Sequence, residues 1–309
     1  MLSRILKSRE IWFSLIIVLC AATLPVYVSG YVLGLLTIAY YFGVFSMAWD
    51  LLFGFANEVN FGPSFLIGLG AYTAGILDSL YQPPIFICVL AGVAAAMIGG
   101  VVLALPALRV RGPYFGLTTL VAVLMLQNFV VVAANLTGGE IGLTVPDIIS
   151  VDDKVNYWLA LGFMTISGLI LYGLSRSPVG LILQASGQDT VQAGALGFNI
   201  VKHKLAAFLV SAFFSGLAGA LMVFYLGAAS VTTFVDVTVG VQVIIGAVLG
   251  GRRTILGAVL GAVFLIVAGE ALRPLGELAT FIVSAVALAV ILAFPGGLLG
   301  LMRGSRGAS

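Results

Sequence analysis

The sequence predicts an all-α membrane protein, a polytopic bundle of about ten transmembrane helices that includes broken or half-crossing helices. Composition is the first reason: 61% of the 309 residues are apolar and 8% are charged, whereas soluble domains carry about 25% charged residues. Spacing is the second. The apolar residues form successive blocks of about 20, the length that a helix needs to cross roughly 30 Å of hydrocarbon.

Two of the predicted spans are doubtful crossings. The polar stretch 54–63 precedes a glycine-spaced segment, so 57–80 is also compatible with a helix that only dips into the bilayer. The block 237–251 is short for a crossing helix. The predicted spans are 11–28, 31–53, 62–80, 85–107, 114–134, 156–175, 205–228, 237–251, 254–272 and 278–300.

The first block follows three basic residues, Arg4, Lys7 and Arg9. A charged segment before an apolar block is also typical of a secretory signal peptide. No clear small-x-small cleavage site precedes Tyr31, which favours an uncleaved first span.

The basic residues orient the spans. With a cytoplasmic N-terminus and ten alternating spans, 12 of the 14 lysines and arginines lie inside, and only Lys154 and Arg273 lie outside. This asymmetry is the positive-inside pattern, and it predicts that both termini are cytoplasmic. The inside residues are Arg4, Lys7, Arg9, Arg109, Arg111, Arg176, Lys202, Lys204, Arg252, Arg253, Arg303 and Arg306, and the outside carboxylates are Asp78, Glu140, Asp147, Asp152, Asp153, Asp236 and Glu277.

Small residues recur at four-residue spacing in several spans. Such stripes let helices approach closely in a bilayer, where association depends on van der Waals fit. We interpret them as packing surfaces rather than as a pore lining. They are Gly92, Ala96 and Gly100; Ser215 and Gly219; Gly246 and Gly250; and Gly257 and Gly261. If spans two to five and seven to ten are related, their opposite orientations make them inverted repeats, a common transporter plan.

The residue sets of common enzymes are absent from the sequence. There is no GxxxxGK[ST] phosphate loop and no HExxH, CxxC or GxSxG pattern. His203 is the only histidine, and Cys20 and Cys88 both fall within apolar spans. We therefore expect a protein that is not an enzyme, with no cofactor, no metal and no nucleic-acid partner.

Neutral amides within or beside the spans are the candidates for a translocation path. Polar groups in a membrane are costly and usually face protein or a water-filled route. The alternative for each is a hydrogen bond between helices, worth about 0.6–2 kcal/mol. The candidates are Asn60, Gln127, Asn128 and Gln242. Three charged residues, Asp50, Glu58 and Glu270, are expected to lie near an interface and reach water.

The stretch 176–204 is the longest internal run that a bilayer would reject. Within it, Gln188 to Leu196 is predicted to form a short helix with Asp189 as its cap and Gly197 as its stop. Its small apolar face comprises Val191, Ala195 and Leu196. Such a helix on a basic loop suits docking to a soluble partner, although an ordinary connecting loop fits equally well. The outer segment 135–155 likewise has two interpretations: a loop that docks to an external protein, or a loop that contacts only solvent.

Six ordered segments resemble one family, the bacterial ABC-importer permeases for branched-chain amino acids (Liv-type). They cover most of the chain, from about residue 35 to residue 303. The segments are NEVNFGPSFLIGLGAYTAGIL (57–77), RVRGPYFGLTTL (109–120), LTGGEIGL (136–143), ALGFNIVKHKLAAFLVSAFFSGLAGAL (195–221), GAVLGGRRTILGAVLGA (246–262) and FPGGLLGL (294–301).

The resemblance implies a single permease domain, 1–309, in the bacterial inner membrane, with a cytoplasmic coupling loop at 176–204. It implies a heterodimer with a second permease, two cytoplasmic ATPase subunits, an external solute-binding protein and transport by alternating access. The residues at or beside the ATPase contact would be Asp189, Ala193, Leu196 and Gly197. Without the resemblance, a stand-alone secondary transporter or channel for a small neutral solute remains the alternative.

Departures from the family pattern bear on the solute and on the coupling loop. The early motif of the family has Gly-Gln and later Gly-His, where this chain has Asn57-Glu58 and Gly62-Pro63. The expected solute is therefore a branched-chain amino acid or a related small polar molecule such as urea, an amide or an aromatic acid. The coupling loop lacks the family's usual charges, so we expect it to rely more on shape and apolar area. Its neutral positions are Gln184, Ser186, Gly187 and Gln192.

Overall fold

A computed structural model describes residues 17–107 and 113–276, together with isolated helical positions at 278, 282, 285, 289 and 297. The start of the first predicted span and most of the tenth, 278–300, lie outside the described residues. Both termini also lie outside the described residues, as do four arginines that are predicted to be on the inside, at positions 109, 111, 303 and 306.

Most of the described chain is helical. The long helices are α1 (Ile17–Val26), α2 (Gly30–Asp50), α3 (Pro63–Tyr81), α4 (Ile85–Ala107), α5 (Pro113–Val132), α7 (Asp153–Ser175), α8 (Pro178–Gln188), α10 (Ile200–Leu226), α12 (Val237–Gly250) and α13 (Leu256–Ala271). The short elements are α6 (Ala134–Thr137), β1 (Leu143–Thr144), α9 (Thr190–Ala195), β2 (Ala228–Ala229) and α11 (Val231–Phe234), with a π-helical turn at Leu51–Phe55 and a 3-10 turn at Arg273–Leu275.

The predicted all-α membrane bundle is confirmed. Within the described ranges, six helical segments are long and apolar enough to cross a membrane, and α1 and α13 are shorter apolar helices. The six are Gly30–Phe55, Ile85–Leu105, Tyr114–Val132, Asp153–Ser175, Ile200–Leu226 and Val231–Gly250. The relation between the two quartets of spans stays a prediction.

Close helix packing at small residues builds the body of the bundle. The central helix α3 packs against α4 and α10, and α2 packs against α7 and α13. A Cβ atom added at Gly70 would run into the backbone of Gly216. Within the predicted stripes, one added at Gly219 would run into the backbone of Ile67, and one added at Gly250 into that of Gly257. The stripes of small residues are therefore packing surfaces, as their spacing predicts.

The two doubtful crossings both begin inside the bundle. The indole N–H of Trp49 donates to the carbonyl of Asn60 over 2.6 Å, so the chain has turned back beside the end of α2 before α3 starts. Helix α12 has only 14 residues, about 21 Å at 1.5 Å per residue. Its Gly240 lies against Pro63 and Ser64 at the start of α3. Together with α11, helix α12 forms the 20-residue apolar segment Val231–Gly250.

We predict that replacing Gly70 by leucine destabilises the protein, because the new side chain has no room against Gly216. Forced overpacking typically costs about 1–3 kcal/mol. Thermal unfolding of the purified protein in detergent measures the effect. The control is Gly162→Leu in α7, where no atom lies within 4 Å of an added Cβ. Equal melting temperatures for the two variants would contradict the packing interpretation.

Candidate functional site

The first half of the stretch 176–204 is helical, although the sequence interpretation treated it as a loop outside its central helix. Helix α8 begins after Ser177, whose side chain caps the backbone N–H of Gly180, and Pro178 occupies the first turn. A serine cap followed by proline is a standard helix start, so the signal was present in the sequence. Helix α8 contacts α7, α10 and the π turn at 51–55.

The predicted short helix is present as α9, one to two residues shorter than expected at each end. A carboxylate oxygen of Asp189 accepts the N–H of Gln192 over 3.0 Å, which is the expected cap. Gly197 has φ +85° and donates its N–H to Gly194 over 2.9 Å. A positive φ suits glycine, so the stop also forms as the sequence indicates.

The end of α9 and the turn that follows it expose apolar side chains. Leu196 is 74% exposed and Phe198 is 40% exposed, and Ala195 is also exposed. Ala193 is buried and faces its own chain. The side chain of Val191 lies outside the described residues. The surface open to another molecule is thus formed by Ala195, Leu196 and Phe198, which we call the α9 tip.

Asp50 does not reach water, contrary to the expectation from its place near the end of a span. The residue is 1% exposed, and its carboxylate accepts the backbone N–H groups of Arg253, Thr254 and Ile255 over 3.0, 3.1 and 2.9 Å. These donors replace water, as a buried charge requires. The contact ties the end of α2 to the turn 252–255 between α12 and α13.

Further polar contacts surround the turn 252–255. The guanidinium of Arg252 donates to the side chain of Asn57 and lies 4.5 Å from the centre of the Phe53 ring. Arg253 donates its Nε–H to the carbonyl of Gly54 over 2.8 Å. The two arginines of this turn therefore contact the segment 53–57 at one end of the bundle, which we call the basic end.

An ion pair joins α10 to the same end. Lys204 contacts the carboxylate of Glu58, and both side chains are mostly buried, at 13% and 17% exposure. Glu58, like Asp50, is thus held by protein groups. The third charged residue, Glu270, lies with Arg273 and Tyr31, and its side chain is 26% exposed.

The opposite end carries the outer segment predicted at 135–155. Strand β1 pairs antiparallel with β2, and Asp78 accepts the N–H of Asp147 over 3.1 Å. Asp78 is fully buried, whereas Ile141 is 97% exposed. The outer segment is therefore anchored to α3 and α10 at one edge and open at its tip.

The four amide candidates lie in different environments. Asn60 is buried and caps the N–H of Gly62 over 2.8 Å. Asn128 is exposed on the outer face of α5 and donates to the carbonyl of Leu124 over 2.7 Å. Gln127 and Gln242 are half-buried, and neither has a side-chain hydrogen bond to any residue within the described ranges. Asn60 thus has a local structural partner, while the side chains of the two glutamines make no hydrogen bond to the part of the chain that the structure describes.

The chain matches a known family over residues 31–295, described as "Branched-chain amino acid transport system / permease component". The chain belongs to this family of permeases. It is 26% identical to the high-affinity branched-chain amino acid transport system permease protein LivM of Salmonella typhimurium, covering 94% of this chain and 75% of the relative.

Two further relatives have related names. LivM of Escherichia coli shows the same identity and coverage. A probable branched-chain amino acid transport permease protein LivM of Methanocaldococcus jannaschii is 24% identical over 72% of this chain and 76% of its own length. No solved structure matches the chain. The protein is therefore a multi-pass membrane permease subunit of the branched-chain amino acid transport family.

We predict that Asn60→Ala lowers the stability of this permease by about 1–3 kcal/mol, because the buried N–H of Gly62 loses its acceptor. Asn128→Ala removes only an exposed, local hydrogen bond and is expected to change stability by less than about 0.5 kcal/mol. Thermal unfolding in detergent compares the two. A larger loss for Asn128→Ala would contradict the environments described for these residues.

Proposed function

We propose that the protein is one of two membrane subunits of an ATP-driven importer for a branched-chain amino acid or a related small polar solute. The observation that carries this proposal is the family match over residues 31–295. The names of the LivM relatives support the solute class. Urea, short amides and aromatic acids belong to the same proposal because of the departures at Asn57-Glu58 and Gly62-Pro63.

The proposed assembly contains a second permease, two ATPase subunits and an external solute-binding protein in a bacterial inner membrane. The basic end would face the cytoplasm, with both termini on that side. Support comes from the grouping of Lys204, Arg252 and Arg253 at one end of the bundle, as the positive-inside rule requires of a cytoplasmic face. ATP hydrolysis would occur in the partner subunits.

The α9 tip is the proposed contact with an ATPase subunit. An exposed leucine and phenylalanine in the turn that follows a short helix suit insertion into an apolar groove. Asp189 and Gly197 would shape this contact through the cap and the stop, and Ala193 would hold α9 to its own chain. This assignment refines the sequence interpretation, in which Ala193 was placed at or beside the contact.

Helix α8 is the proposed link between the α9 tip and the bundle. A Cβ atom added at Gly187 would lie 2.7 Å from the carbonyl oxygen of Phe55, so α8 and the π turn are in backbone contact. Movement of α9 with the ATPases would shift α8 and the π turn together. Opening the bundle first to one side and then to the other would follow as alternating access.

The half-buried glutamines are the proposed path residues. Gln127 lies on α5 and Gln242 on α12, and these two helices contact each other. Their open amides suit hydrogen bonds to a zwitterionic or polar solute better than binding of a bare ion. Asn128 would face lipid or the second permease, and Asn60 would support the start of α3.

The direct test is to purify the chain from its native membrane and reconstitute the purified assembly in proteoliposomes. We expect ATPase subunits to co-purify, and leucine and isoleucine to be taken up only with ATP on the ATPase side and binding protein on the other. Urea and phenylacetate uptake are measured in parallel. Ion-driven uptake by the lone chain, without ATPases, would overturn the proposal in favour of a stand-alone transporter.

In the same assay we predict that Gly197→Trp lowers uptake at least tenfold in a complex that still hydrolyses ATP, because the bulky ring distorts the α9 contact. Gly197→Ala is the matched control. Alanine at position 197 must adopt the same positive φ as tryptophan, which is unfavourable for both residues, but it adds only a methyl group. No atom lies within 4 Å of that added Cβ. Normal uptake by a stably assembled Gly197→Trp complex would count against coupling through α9.

A further inference from the structure

The contact between Asp50 and the turn 252–255 stands out because a buried carboxylate is held entirely by backbone donors in the described contacts. Three successive N–H groups, those of Arg253, Thr254 and Ile255, point at its two oxygens. Successive N–H groups of this kind form an anion-binding nest. The nearby guanidinium groups donate elsewhere, Arg252 to Asn57 and Arg253 to Gly54.

The backbone of the same region is strained. Among the described residues, four that are not glycine have positive φ, and three of them lie here: Asn57 at 57°, Arg253 at 65° and Ile255 at 49°. Positive φ is a genuine outlier for a β-branched residue such as Ile255. Strained backbone persists only where surrounding contacts impose it, and the three N–H groups on Asp50 are those contacts for the turn 252–255.

The π turn at 51–55 lies between this contact and helix α8, the proposed link to the ATPase subunits. π-helical turns interrupt α-helices frequently at functional sites. On one side of the turn lie Gly187 of α8, against Phe55 and Ala56, and on the other lie Arg252 and Arg253, against Phe53 and Gly54. A shift of α8 therefore acts on the same few residues that hold the turn 252–255.

Hydrogen bonds from backbone donors restrict the conformation of a loop more than a side-chain ion pair does. A salt bridge between long side chains can follow a displaced loop, since both side chains rotate to keep contact. Three backbone N–H groups converge on one carboxylate in only one conformation of the turn. Such a contact allows two discrete arrangements: formed with a strained turn, or broken with a relaxed turn and the carboxylate hydrated by water that enters the open end. This is the kind of bistable element that switching requires.

We propose that Asp50 is a positioning residue for transport: its carboxylate holds the turn 252–255 against the end of α2 and closes the basic end, and this contact breaks and re-forms in every transport cycle. The inference rests on the proposed function. In this inference, Asp50 and the turn 252–255 form the inner gate, and movement of α8 and the π turn opens it. The ion pair between Lys204 and Glu58 keeps α10 attached to the 57–62 segment on the other side of the gate.

A reversible cross-link tests whether the turn must move. In a cysteine-free background (Cys20→Ser, Cys88→Ala), Asn57→Cys and Arg252→Cys place thiols on two exposed side chains that touch in the closed state. A short, cleavable bismaleimide joins them in the reconstituted complex. We expect ATP-driven uptake to fall at least tenfold on cross-linking and to recover at least half of its rate after cleavage.

The control pair joins α2 to α7 at the other end of the molecule, where no movement is proposed. A Cβ atom at Gly30 would lie 4.0 Å from the Cβ of Asp153, which suits a disulfide. Gly30→Cys with Asp153→Cys is therefore expected to keep uptake within twofold of the parent when oxidised. Wild-type uptake by the cross-linked 57–252 pair would overturn the proposal, because a gate cannot open while it is joined.

Asp50→Asn provides the second variant. The amide keeps the size of the side chain but turns an NH2 group toward at least one backbone N–H, so the closed state is weakened without a cavity. We expect ATP hydrolysis within threefold of wild type and uptake reduced at least tenfold. Equal loss of both activities would reduce Asp50 to a structural role. Absence of ATP-driven uptake by the wild-type assembly would instead overturn the proposed function itself.

Discussion

A buried carboxylate that must be satisfied by protein groups is the constraint on which the basic end of this permease depends. Asp50 is 1% exposed within an apolar bundle, where an unpaired charge is very costly. The three N–H groups that satisfy it fix the turn 252–255 and impose positive φ on Arg253 and Ile255. The conformation of the turn 252–255 thus follows from one side chain.

The rest of the bundle is built to be rigid. Helices α3, α4 and α10 meet through glycines that bring backbone against backbone, and such interfaces cannot slide without clashes. The proposed movement would therefore take place at the joints where regular helix packing ends. The π turn, the 57–62 segment and the turn 252–255 are such joints, and all three lie at the end that also carries α8 and α9.

Local patterns predicted much of this structure from the sequence. The helical bundle, the packing at small residues, the Asp189 cap and the Gly197 stop follow largely from patterns within one helix, and each is found in the described residues. Of the ten predicted spans, most of the tenth lies outside the described residues, and six helical segments within them are long and apolar enough to cross a membrane. The partner of Asp50 lies 203 to 205 residues away, and no local pattern encodes it. Likewise, adjacent residues Gln127 and Asn128 differ in exposure because of how α5 packs. Helix α8 was missed although Ser177 and Pro178 mark its start.

The central claim is that the ATPase subunits act on the permease at the basic end, through the α9 tip. The most direct test is to measure on which side of the membrane the α9 tip lies. In a cysteine-free background, Leu196→Cys and Ile141→Cys place single thiols on two highly exposed positions at opposite ends. In sealed right-side-out vesicles, a membrane-impermeant maleimide should label Ile141→Cys and not Leu196→Cys, and opening the vesicles should expose Leu196→Cys unless ATPase subunits cover it. Labelling of Leu196→Cys from outside would contradict the proposal that cytoplasmic ATPase subunits act on the permease at the basic end.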